Sequence, residues 1–183
     1  MVVPIRSPTP LLFILFLFTD CVLSGACPDQ WTHLPGGCYQ FLMEKLTWES
    51  AKQACEQLPG GGWLVKIDTK EQNDAIYEEV KNIMSTAWIG LTDKAKEGEW
   101  VWTSGQHASF TNWANGPVIA MPDNYKGINK NGENCVVLNS DPKSKANWAV
   151  PKRWNDESCL YKTGAICQRE DKTNLLKAKM FCH

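Results

Sequence analysis

Eight cysteines in 183 residues constrain this chain more than any other feature it carries. Cys21 falls in an N-terminal segment ordered like a secretory signal. Arg6 comes first, then the apolar run Leu11-Leu12-Phe13-Ile14-Leu15-Phe16-Leu17-Phe18, then the small residues Ser24-Gly25-Ala26. The run is shorter than the roughly 20 residues needed to cross a bilayer. Residues 1–26 are therefore expected to be a signal peptide, removed to leave a secreted, extracellular chain beginning near Cys27. Seven cysteines then stay: Cys27, Cys38, Cys55, Cys135, Cys159, Cys167 and Cys182. In an oxidising compartment they read as disulfides, and with no CxxC pair a structural zinc site is not expected. The odd count leaves one thiol free or paired between chains. Cys182, in the tail, is the candidate for a disulfide-linked homodimer.

About 157 residues remain, a length that suits one domain. The formal charge of −1 gives no electrostatic reason to expect nucleic acid or an anionic membrane as partner. No N-x-S/T sequon occurs, so N-glycosylation is not expected. Nine tryptophans are more than a core this size calls for, which suggests that some line a surface.

Two helices are legible. Thr47 caps a segment running to Leu58, with Trp48, Ala51 and Cys55 at helical spacing, before Pro59-Gly60-Gly61-Gly62 stops it. Asp68-Thr69-Lys70-Glu71 opens the second as a capping box, and Ile76, Val80, Ile83 and Met84 mark its buried stripe. Short strands are expected at 38–42, 63–67, 88–91, 100–103, 135–139 and 164–168. This order argues for an α+β fold. Between Ser104 and Val150 regular structure nearly vanishes in favour of Asn, Gly and Pro, and irregular segments this long usually carry function or are disordered.

Trp88-Ile89-Gly90-Leu91, Gly132-Glu133-Asn134-Cys135 and Trp154-Asn155-Asp156 followed by Cys159 occur in that order. Together they resemble the WIGL, GExC and WND motifs of the C-type lectin-like domain, over about 27–170, leaving 171–183 as a tail. The resemblance implies that family's fold, with two helices and short antiparallel sheets, a long irregular loop region, and disulfide staples. It implies the pairs Cys55–Cys167 and Cys135–Cys159, with Cys27–Cys38 closing the N-terminal hairpin of the long form. Six cysteines allow 15 connectivities, so spacing alone does not choose this one.

The resemblance also implies calcium. Calcium takes 6–8 oxygen ligands, and Asn155 and Asp156 would supply side-chain oxygens if the backbone bends out of extended pleating. Sugar-binding members add a Glu-Pro-Asn or Gln-Pro-Asp triplet bent by a cis proline. Met121-Pro122-Asp123 is the best match, ahead of the alternative Gly116-Pro117-Val118. With Glu133, the implied primary ligands are Asp123, Glu133, Asn155 and Asp156. Met121 departs from the pattern, because a thioether does not suit calcium; water, Asn124 or Asn129 would have to substitute. Asp93 and Glu97, with Asn124 and Asn134, match an auxiliary site in spacing. The expected function is a calcium-dependent lectin in which sugar hydroxyls meet the ion, Asp123, Glu133 and Asn155, beside an aromatic face from Tyr125, Trp113 or Trp148. Asp123 tilts the specificity toward galactose-type sugars. The alternative is a domain that has lost sugar binding and recognises protein, mineral or ice. Three scattered histidines, with no HExxH motif and no nucleophile elbow, argue against an enzyme.

Overall fold

The computed structural model describes residues 27–116, 120–127, 130–146 and 149–171. The proposed signal segment and the tail with Cys182 lie outside the described residues. Among the described residues no helix is long and apolar enough to cross a membrane.

The strands are β1 (Thr32–Leu34), β2 (Gly37–Leu46), β3 (Trp63–Leu64), β4 (Thr86–Thr92), β5 (Val101–Trp102), β6 (Cys135–Asn139), β7 (Trp154–Glu157) and β8 (Thr163–Arg169). They form one eight-stranded sheet in the order β1-β2-β8-β4-β6-β7, with β3 on β8 and β5 on β4. The expected antiparallel pairing holds for every strand pair but one. β4 and β8 pair in parallel through Ala87–Gly164 and Trp88–Ala165, which makes the sheet mixed and continuous. β1 and β2 form the N-terminal hairpin that the resemblance implied, while β7 was not expected as a strand.

Side chains alternate across a strand, and β4 shows why its apolar run has no polar face. Ala87, Ile89 and Leu91 enter one core, while Trp88 enters the other. The helices α1 (Trp48–Gln57) and α2 (Lys70–Val80) each bury a stripe in a different one of these cores. Thr47 caps α1 by accepting from the Ser50 backbone N–H, and Thr69 caps α2 through Gln72. The reciprocal partner in α2 is Gln72 rather than Glu71, since its Oε1 accepts from the Asp68 N–H at 2.8 Å. The expected buried stripe stops early. α2 ends at Val80, the chain turns, and Ile83 is left exposed while Met84 packs on the core from outside the helix.

Three buried tryptophans act as hydrogen-bonded pins. Trp48 Nε1 donates to the Ile89 carbonyl at 3.0 Å, Trp88 Nε1 to the Leu46 carbonyl at 2.8 Å, and Trp154 Nε1 to Asn73 Oδ1 at 2.7 Å. Gly90 is required between them: a Cβ there would stand 2.6 Å from the Leu64 carbonyl oxygen. The disulfides are Cys27–Cys38, Cys55–Cys167 and Cys135–Cys159. At one edge, β1 sits beside β2 and His33 pairs with Asp171 at 3.4 Å, so both ends of the described chain meet there. β7 lies at the other edge, five strand spacings away, or roughly 20–25 Å.

Candidate metal centre

β7 carries the Trp154-Asn155-Asp156 motif as an extended strand, paired with β6 through Val137–Asn155 and Val136–Asp156. The expected bend out of extended pleating is therefore absent. The reason is packing: Trp154 is fully buried and meets Trp102, Phe110 and Trp113 edge-on, with ring centroids 5.6–5.9 Å apart. The Cys135–Cys159 disulfide closes the far end of the same pair of strands.

Instead of the strand bending, a loop comes to it. The Met121–Pro122 peptide is cis, and the loop after it turns its backbone onto Asp156. The carboxylate of Asp156 accepts from the Asp123 N–H at 3.0 and 3.2 Å and from the Asn124 N–H at 2.7 Å. Met121 is buried at 7 % exposure and its backbone N–H donates to the Ala114 carbonyl, so burial and a main-chain bond together anchor the loop. Glu133 Oε2 accepts from the Tyr125 N–H at 3.3 Å, and the Glu133 N–H donates to Asn124 Oδ1 at 3.0 Å.

Oxygens of Asp123, Glu133 and Asp156 all lie within 4.8 Å of one another. Two ligands on opposite sides of a calcium ion stand at most about 5 Å apart, since each bond is roughly 2.3–2.6 Å. Asn155 touches this corner only through the main chain: its Nδ2 donates to the Asp156 carbonyl at 2.6 Å, while its Oδ1 is buried with no hydrogen-bond partner. An unsatisfied buried acceptor costs free energy, and a cation would satisfy it. The electrostatics agree. Burial, then Glu157, Asp156 and Asp123, push the Glu133 carboxyl up to about 8. Burial raises Asp156 and Glu157 as well. Crowded, desolvated carboxylates of one sign fit a hard divalent ion.

The other expected residues divide. Tyr125 is 55 % exposed at the rim of the trio. Trp113 packs against Trp100 and Trp154, so it belongs to the core. Pro117, Val118, Asn129 and Trp148 lie outside the described residues. Of the auxiliary set, Asp93 is buried, with one oxygen accepting from the Gly98 N–H at 2.9 Å and the other unpartnered. Glu97 accepts from Asn124 Nδ2, and Asn134 Nδ2 donates to the Asn131 carbonyl at 2.9 Å. Glu157 was missed by the sequence reading. It stands two residues beyond Asn155, the spacing that shares a strand face, and only the recognition of β7 as a strand would have drawn it in.

The Lectin C-type domain profile matches residues 44–169. The chain belongs to the C-type lectin family. It is 30% identical over 159 residues to the alpha-N-acetylgalactosamine-specific lectin of Patiria pectinifera, covering 81% of this chain and 84% of that one. It is 31% identical over 143 residues to human C-type mannose receptor 2, matching 78% of this chain but spanning only 8% of that receptor. Among solved structures, the human scavenger receptor C-type lectin carbohydrate-recognition domain superposes with a TM-score of 0.66 at 32% identity, covering 79% of this chain and 99% of that one. A herring type II antifreeze protein shares the fold alone, at 23% identity and a TM-score of 0.59, over 79% of this chain and 98% of that one.

Proposed function

We propose that this chain is a secreted, calcium-dependent carbohydrate-binding lectin. The observation that carries the reading is the convergence of Asp123, Glu133 and Asp156 oxygens within 4.8 Å, from a loop, the approach to β6 and the strand β7. Asp123, Glu133 and Asp156 would hold the ion, with Asn155 Oδ1 as the neutral fourth ligand. Calcium, when bound, would supply a hard Lewis-acidic centre for sugar hydroxyls. This chain's own groups do the rest. The Asp123 and Glu133 carboxylates would accept from those hydroxyls and the Asn155 amide N–H would donate to them, the bonds to the charged partners being the stronger. Tyr125, exposed at the rim, offers an apolar face to the sugar ring. Asp123 in the third triplet position favours galactose-type hydroxyl geometry, in keeping with the N-acetylgalactosamine-specific relative.

Retention on immobilised galactose and mannose in calcium, followed by elution with a chelator, tests the reading. Galactose retention released by chelator is expected, and Asp123→Ala should abolish it. A second reading rests on Met121, which puts a buried thioether where an oxygen ligand is expected. On that reading the domain recognises protein, mineral or ice surfaces. Measured calcium uptake with no retention on any sugar would favour it.

A further inference from the structure

We propose that Asn124 is a brace that takes the place of a second cation beside the candidate centre, so that this chain takes up one calcium ion and not two. The inference rests on the calcium reading above. Asn124 stands between the acid trio and the Asp93–Glu97 turn, and every polar group it has toward them is spent. Its backbone N–H donates to Asp156 Oδ2 at 2.7 Å, its Oδ1 accepts from the Glu133 N–H at 3.0 Å, and its Nδ2 donates to the Glu97 carboxylate. One residue thereby ties β7, the approach to β6 and the acidic turn together.

The local backbone is built around this contact. Asn124 adopts φ +46°, a left-handed conformation that asparagine tolerates better than most residues. Gly132 is at φ +75°, and a Cβ there would fall 1.8 Å from Asn124 Oδ1. The glycine leaves the space that the carboxamide fills.

Charge argues the same way. A calcium site is tuned by how many charged oxygens it gathers. The trio gathers three carboxylates, whereas the neighbouring turn has Asp93 and Glu97, and Glu97 already accepts from Asn124. One Asp93 oxygen is committed to the Gly98 N–H. The buried, unpartnered Asp93 Oδ1, even with the second oxygen of Glu97, falls well short of the about six ligands that an ion needs. An amide donor facing Glu97 does without an ion what a cation there would do: it holds the acidic turn against the loop.

Calcium stoichiometry, by equilibrium dialysis of the disulfide-bonded chain, decides the matter. The wild type and Glu97→Gln should each bind one ion per chain with similar affinity, because glutamine still accepts from Asn124. Asn124→Asp, which swaps the donor for a third carboxylate, should bind two. Two ions in the wild type falling to one in Glu97→Gln would overturn the brace and leave the calcium reading standing. A folded Asn124→Asp that still binds one ion would also overturn it. If Asn124→Asp does not fold, the comparison of wild type with Glu97→Gln decides alone. No uptake by the wild type would sink both the brace and the calcium reading.

Discussion

Glu133 holds its proton to about pH 8 in the calcium-free corner, because it is desolvated and faces three other carboxylates. Its unfolded value is that of an ordinary glutamate, so between there and about pH 8 the folded state binds more protons than the unfolded one. Stability of the calcium-free chain must therefore fall as pH rises through that window, and the raised Asp156 and Glu157 carboxyls act in the same direction. Calcium binding needs the carboxylates ionised, so its affinity must rise with pH over the same range. Thermal melts from about pH 5 to pH 8 should show the melting point decreasing in chelator, with a calcium-induced upward shift that grows. A calcium-free melting point that climbs with pH would contradict this assignment. Glu133→Gln removes the repulsion, so it should raise the chelator melting point at pH 8 while weakening calcium binding by about tenfold or more, read by titration calorimetry.

β7 is the element on which the corner depends, and its hold on the core is Trp154. Trp154→Ala removes a fully buried ring together with its bond to Asn73, a change that costs about 3–5 kcal/mol for a large core aromatic. Denaturant unfolding should show that loss, with calcium affinity falling too, since Asp156 is the next residue but one. Removing the Cys135–Cys159 disulfide by paired alanines should cost roughly 3 kcal/mol in the chain-entropy model. Removing Cys27–Cys38 should cost a similar amount and leave calcium affinity unchanged, because it staples the opposite edge of the sheet. At this level much was legible beforehand. Both helices follow from caps and spacing, and β6 matches its expected span. β7 was not legible: adjacent Asn and Asp were expected to bend out of extended pleating, and what makes them a strand is pairing with Val136 and Val137, 18–20 residues away. The helix α2 overran for a related reason. Ile83 continues the apolar period, but the Lys81 turn ends the helix before that period can be used. The convergence of Asp123 with Asp156 came only from resemblance, because it depends on loop backbone that donates to a carboxylate 33 positions further on.

Across the whole molecule, the continuous sheet separates two things that the chain keeps apart. Both described ends gather beside β1, whereas Asp156 of the acid trio lies on β7, at the opposite edge of the sheet. Cys182 lies in the tail that follows the first of these edges, and non-reducing electrophoresis should show a covalent dimer that Cys182→Ser converts to monomer. A dimer joined through its tails would gain avidity only where both sites can engage at once. With Asp156 on the edge strand opposite the one beside which the described chain ends at Asp171, the sites of two chains joined beyond that end would face away from one another. Such a pair should agglutinate galactose-coated particles, drawing separate surfaces together, instead of doubling its grip on neighbouring sugars of one surface.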